Sequence, residues 1–156
     1  MKNSKLASLR HIHSTDVNVT DSNGQTLLHI AATDPETKAV RRLLKKKANI
    51  NTPDALGWTP LHLAAQSKRY ETCKILLEAN ADIHAKTKDN NSVLSLLVKG
   101  DADNLLRTDL INLILPHDVN FSNTRGETPF IIACLFGSEN TVQLLLPHVS
   151  DINVTT

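Results

Sequence analysis

Aromatic side chains are scarce in this chain: one Trp, one Tyr and three Phe among 156 residues. Each exposed aromatic therefore carries more weight as a contact candidate. Cysteine is limited to Cys73 and Cys134, both on apolar helical positions. They read as two buried free thiols in a reducing compartment, so the expected localisation is cytoplasmic. Glycine is sparse too. The chain has no Gly-rich phosphate loop and no Gly-x-Ser-x-Gly elbow, which removes two common routes to phosphate binding and acyl transfer. Neither sign of charge dominates: 17 Lys+Arg stand against 16 Asp+Glu, a net charge of +1. That balance gives no general case for a nucleic acid partner or an anionic membrane. No run of 18 apolar residues reads as a membrane helix, and the first residues do not read as a signal peptide.

What the chain does have is a period. Thr26-Leu-Leu-His-Ile-Ala-Ala32 and Thr59-Pro-Leu-His-Leu-Ala-Ala65 start 59 − 26 = 33 residues apart. A weaker copy, Ser92-Val-Leu-Ser-Leu-Leu-Val98, follows after 92 − 59 = 33, and Thr128-Pro-Phe-Ile-Ile-Ala-Cys134 after 128 − 92 = 36. A fixed period of this size means stacked supersecondary units.

The second copy predicts how a unit is built. Asp54-Ala-Leu-Gly57 is a turn, because Asp bonds local backbone and Gly permits positive φ. Thr59 N-caps a short helix with Pro60 at its first position. Leu61, Leu63, Ala64 and Ala65 form its apolar side, and Ser67–Arg69 end it. A second helix turns Cys73, Leu76 and Leu77 inward. In the first copy Gly24, Thr26, Val40, Leu43 and Leu44 play these parts, and Asp34-Pro-Glu36 reads as a helix start. In the fourth they fall to Gly126, Thr128-Pro129, Val142, Leu145 and Leu146. Asn18, Asn51, Asn120 and Asn153 mark unit junctions. Three of them precede a motif by the same step of eight (26 − 18, 59 − 51, 128 − 120).

This period and this motif resemble the ankyrin repeat. The resemblance implies an all-α helix-turn-helix solenoid with short β-turn or hairpin tips. The expected organisation is a single domain over 1–156: a half repeat or cap at 1–20, repeats at 21–53, 54–86 and 87–122, and a fourth with the start of a further unit at 123–156. Leu6–Asn18 reads as a second helix without its first, and Asp151–Thr156 as the opening of another unit. The chain is therefore expected to be an excerpt of a longer protein. A disulfide between Cys73 and Cys134 would need Cα atoms within about 7 Å, which a stack does not offer residues of non-adjacent repeats.

The third repeat departs from the pattern. Asn90 replaces the turn glycine, Ser95 the histidine, and Leu97-Val98 the small pair. Aligning Leu113–His117 with Leu144–His148 gives 113 − 92 = 21 against 144 − 128 = 16, so five extra residues are placed between its helices, around Lys99–Asn104. A weak joint with a polar, acidic loop is expected there.

Catalysis is not expected. Among seven histidines, His29 and His62 hold the motif position that, by the resemblance, ties adjacent loops through hydrogen bonds. His11 and His13 diverge on a helix, and His117 and His148 sit a repeat apart, so no zinc set converges. Asp101–Asn104 fails as a calcium loop, with Leu106 and Asn112 where Gly and Glu are needed. Neither metal nor cofactor is expected. Asn18, Asn90, Asn120 and Asn153 match the glycosylation pattern, which is silent in the cytosol.

The resemblance implies a non-catalytic protein-binding module, part of a larger cytosolic scaffold, adaptor or signalling protein, and monomeric in isolation. Binding is expected at the tips (Ser22, Asn23, Gln25; Ala55, Leu56, Trp58; Lys88, Asp89, Asn91; Thr124, Arg125, Glu127) and at the ends of the first helices (Thr33, Asp34; Gln66, Ser67; Lys99, Gly100; Leu135, Phe136). Leu56, Trp58, Leu135 and Phe136 are the apolar exceptions on this polar face, with Tyr70 just beyond. Nucleic acid is not an expected partner. The single charge cluster is Arg41, Arg42, Lys45, Lys46 and Lys47. It is either a solvated helix face or a contact for an acidic partner or acidic lipid headgroups, the alternative function.

Overall fold

The computed structural model describes residues 16–100 and 104–149. Most of the expected half repeat, together with His11, His13, Asp101–Asp103 and the unit expected from Asp151, lies outside the described residues. Among those residues the regular structure is eight α-helices, with isolated β-bridges such as Thr20 to Thr26 and Lys86 to Ser92 at the tips. No described helix is long and apolar enough to cross a membrane.

Contacts divide the chain into two compact units, Met1–Asp82 and Ile83–Thr156. The first holds α1 (Leu27–Ala32), α2 (Lys38–Lys45), α3 (Pro60–Gln66) and α4 (Tyr70–Glu78). The second holds α5 (Val93–Leu97), α6 (Leu105–Asp118), α7 (Pro129–Phe136) and α8 (Glu139–Leu145), then a 3₁₀ turn over Leu146–His148.

The helix starts follow from local chemistry. Thr59 is extended at φ −93°, and its hydroxyl accepts the His62 amide at 3.4 Å, with Pro60 in the first turn. Ser92, Asn104, Thr128 and Ser138 accept the amide three residues on in the same way. Each satisfies a donor that the first turn leaves open. In the first unit α1 packs on α2 and on α3, and α3 on α4. Ala31, Ala32, Ala64 and Ala65 are all buried, and their short side chains allow that approach. Val40, Leu43, Cys73 and Leu76 complete this core.

In the second unit α5 packs on α6 and α7, and α7 on α8. Its core includes Leu94, Leu97, Val98, Ile111, Ile114, Leu115, Ile132 and Leu145. Two buried charges cross it. Arg107, 2% exposed, donates from Nε to the Leu97 carbonyl at 2.8 Å and from Nη2 to Thr141 Oγ1 at 2.6 Å. It ties the end of α5 to α8. Lys86 Nζ meets buried Asp118 Oδ1 at 2.7 Å.

Several expectations are corrected. Cys73 is buried, but Cys134 is exposed, because it falls on the side of α7 turned away from Ile132 and Ala133. The second helix of the first repeat starts at Lys38, not at Pro35. Asp34 spends its carboxylate on the Glu36 amide at 2.7 Å, a local turn that competes with helix capping. Leu44, Leu63 and Leu77 are half-buried, and Ile75 takes an interior place beside Leu76. Leu146 is 47% exposed, since α8 ends at Leu145 and the 3₁₀ turn rotates the next side chain outward.

The extra residues of the third repeat are not all between helices. From motif start to second helix the step is 105 − 92 = 13 against 139 − 128 = 11, so two lie there. The remaining 5 − 2 = 3 lengthen the second helical segment, and α6 runs for 14 residues. The repeat also replaces what it lacks. Asn90 adopts φ 58° and donates its side-chain amide to the Ser122 carbonyl at 2.6 Å. Ser95 is too short to reach a neighbouring tip, and its hydroxyl bonds the Ser92 carbonyl at 2.7 Å instead. Ser92–Val98 is buried throughout.

These features generate a graded test. Asn90→Gly keeps the positive φ and loses one hydrogen bond, so it should cost about 1 kcal/mol. Asn90→Ala loses both and should cost about 2 kcal/mol. Urea unfolding measures the pair, and equal costs would mean that the left-handed conformation adds nothing.

Candidate functional site

The tips are stiffened by one acceptor serving two amides. Asp21 Oδ1 accepts from Asn23 and Gln25, and Asp54 Oδ1 from Leu56 and Trp58, all at 2.9 Å. Asn123 Oδ1 repeats this with Arg125 and Glu127 at 2.9 and 3.0 Å. Gly24, Gly57 and Gly126 turn the chain at φ 75°, 79° and 76°. In the irregular repeat Thr87 Oγ1 accepts from the Asn91 amide alone, at 3.1 Å.

Neighbouring tips are joined within each unit. In the first, the Ala55 amide donates to the Asn23 carbonyl at 2.9 Å, and Gln25 Nε2 to Asp54 Oδ2 at 3.3 Å. In the second, the Thr124 amide donates to the Asp89 carbonyl at 3.0 Å, and Asn123 Nδ2 to Asn91 Oδ1 at 3.3 Å. The junction asparagines add a lower tie. Asn18 Oδ1 accepts from the Asn49 amide at 2.7 Å, and Asn51 Oδ1 from the Asp82 amide at 2.9 Å.

His29 is the central bolt of the first unit. Its Nδ1 accepts the Thr26 amide at 3.0 Å, so Nε2 carries the proton and donates to the Trp58 carbonyl at 2.9 Å. Burial lowers the His29 pKa, against the opposing pull of the Trp58 carbonyl and of Asp54 and Asp21. His62 Nδ1 likewise accepts the Thr59 amide at 3.3 Å. The expected tie between adjacent loops is made by His29, whose Nε2 reaches the Trp58 carbonyl, whereas the bond His62 makes to Thr59 stays within its own repeat. Among the described residues no group of three or more His, Cys, Asp or Glu is placed to hold a metal.

On this frame the predicted contact residues fall as follows. In the first unit Leu56 (62% exposed), Ala55, Ser22, Asn23, Thr33 and Gln66 are exposed, while Gln25, Asp34, Ser67 and Tyr70 are half-buried. Trp58 is also half-buried, with its ring edge-on to His62 at 6.0 Å between centroids. With its carbonyl held by His29 and its ring by His62, this aromatic is stiffly placed.

In the second unit Lys88, Asp89, Thr124, Arg125, Lys99, Leu135 and Phe136 are exposed, and Asn91, Gly100 and Glu127 half-buried. Leu135 and Phe136 are 61% and 54% exposed at the end of α7, and Lys99 Nζ lies 5.6 Å from the Phe136 ring centre. The backbone beneath is fixed: the Gly100 amide donates to the Phe136 carbonyl at 2.9 Å. A Cβ at Gly137 would stand 2.6 Å from the Ala133 carbonyl oxygen, so only glycine fits that exit.

Phe121 is a contact candidate that the sequence reading missed. It is 56% exposed, with Lys86 Nζ 4.8 Å from its ring centre. The signal was its place directly after junction Asn120, the position held by Val19 after Asn18, also exposed. The basic residues Arg41, Arg42, Lys45, Lys46 and Lys47 are all exposed on α2 and its exit. Arg41 reaches Glu71 at 3.5 Å.

A family model for ankyrin repeats (3 copies) matches residues 1–87 and again residues 85–156. No curated protein matches the chain.

The buried His29 makes stability depend on pH. Its folded pKa lies below the ordinary 6.5, so the unfolded chain takes up the proton first. Stability from this residue is complete above pH 6.5 and declines as pH falls from there through the lowered folded value. Chemical unfolding at several pH values should show that decline, and His29→Gln should flatten it while lowering stability above pH 6.5. An unchanged slope in the variant would assign the pH dependence to other groups.

Proposed function

This chain belongs to the ankyrin-repeat family, and on that premise we propose that it is a non-catalytic protein-binding module of a larger cytosolic scaffold, adaptor or signalling protein. Ankyrin-repeat domains are non-catalytic interaction modules, and the repeats here supply the rigid tips and helix ends that such binding needs. The observation that carries the reading is the display of Leu56, Leu135 and Phe136, each more than half exposed, on backbone held by turn and cap hydrogen bonds. Large apolar groups preorganised in this way lose little freedom on binding, and they resemble interface anchors. Trp58 and Tyr70 extend the apolar area of the first unit. Gln66 and Ser67 supply polar contacts in the first unit, and Lys99, Arg125 and Glu127 supply them in the second. The exposed free thiol of Cys134 fits the reducing cytoplasm, where such a group persists.

The partner is a protein, and the chain engages it as a monomer. Affinity capture of partners from cytosol, then calorimetry on the purified complex, tests the reading. Truncation of a true anchor should cost about 2 kcal/mol or more in affinity. Leu56→Ala and Phe136→Ala are the clean variants, since both side chains are exposed and their loss should leave the melting temperature unchanged. Trp58→Ala should lower affinity and also stability, because the indole packs against His62. Unaltered affinity in all three variants would place the contact surface elsewhere.

A further inference from the structure

The cations of α2 form a feature that tip-mediated binding leaves unused. The ten residues Lys38–Lys47 hold six cations (Lys38, Arg41, Arg42, Lys45, Lys46 and Lys47) and no carboxylate. All six are exposed, while Val40 and Leu43 are buried, so the helix divides into a core face and a purely cationic face. The other second helices differ. α4 mixes Glu71 and Glu78 with Lys74, α6 mixes Asp109 and Asp118 with Arg107, and α8 carries Glu139. Two exposed carboxylates reach the face, Glu36 at 3.8 Å from Lys38 and Glu71 at 3.5 Å from Arg41. The cluster is cationic on a chain whose net charge is only +1. The helix dipole favours cations only in the last turn, so it does not account for Lys38 or Arg41.

We propose that this face of α2 is a docking surface for an anionic lipid bilayer, separate from the protein-binding tips. Charge complementarity points to an anionic occupant, and the lack of apolar bulk points to a membrane. None of the exposed large hydrophobic residues described lies between positions 36 and 48. A protein interface needs desolvated anchors, whereas a charged leaflet needs only cations on an accessible face. Four of the six cations are lysines, compact point charges that suit a fluid surface better than a bidentate fork would. With no apolar insertion, attachment is electrostatic and reversible by salt.

The test is co-sedimentation of the 156-residue chain with vesicles of phosphatidylcholine alone and with vesicles enriched in phosphatidylserine. The chain should bind the second and not the first, and release as the Debye length shrinks from about 8 Å at physiological salt to about 3 Å at 1 M. Each cation near an anionic leaflet is worth about fivefold in partitioning, so Arg42→Gln, Lys45→Gln and Lys47→Gln together should weaken binding by about a hundredfold. The triple change Lys68→Gln, Lys88→Gln and Arg125→Gln removes the same charge from exposed sites elsewhere and should have little effect. Both variants should unfold cooperatively, which shows that any loss is not a loss of fold. Equal weakening by the two triplets would reduce the effect to general charge and overturn the site. So would failure of the wild-type chain to bind serine-rich vesicles while it binds an acidic polypeptide such as polyglutamate.

Discussion

Helices this short cannot hold themselves in water, and every other feature answers to that fact. Apart from α6, none of the described α-helices exceeds nine residues. Nucleation costs more than so few hydrogen bonds return, so isolated segments of this length are marginal. Each must bury its apolar stripe against a partner and then against the next pair. In the first unit the alanines at 31–32 and 64–65 permit that approach. In the second, Leu97 and Val98 take the corresponding place, and the bulk is accommodated beside a longer α6 and a buried arginine.

Stacking alone leaves the loops unconstrained, and the tips supply the missing order. A single aspartate or asparagine oxygen closes each regular turn, and a histidine or an asparagine side chain then reaches the neighbouring one. His29 illustrates the linkage between levels. The Thr26 amide fixes its tautomer, the tautomer makes Nε2 a donor, and that donor fixes the carbonyl of Trp58. Capping, protonation state and the placement of a surface aromatic are therefore one arrangement. Rigid display of this kind is what the proposed protein-binding role draws on.

The two surfaces differ in chemistry because they differ in origin. At the tips and first-helix ends, apolar groups are exposed on backbone that turns and caps have already fixed. On α2 the buried stripe is narrow, and the remaining face carries charge of one sign. The first suits a partner with shape, and the second suits a partner with charge.

The period of 33 residues and the Thr-Pro-Leu-His motif made the fold, the helix pairs, the caps and the motif histidines legible from the sequence. These depend on local chemistry and on spacing, both of which are written in neighbouring residues. The asparagine at position 90 was legible as a departure, but not as a substitute, because its partner at Ser122 lies 122 − 90 = 32 residues away. Arg107 joining Leu97 to Thr141, and Lys86 meeting Asp118, escaped notice for the same reason. So did the exposure of Cys134 and Leu146, which rests on where a helix ends and which way its last side chains rotate. Sequence determined which residues could cap, turn or pack. Only the tertiary structure decided which polar groups meet across repeats and which apolar ones stay in water, since both depend on distances between segments that no local pattern encodes.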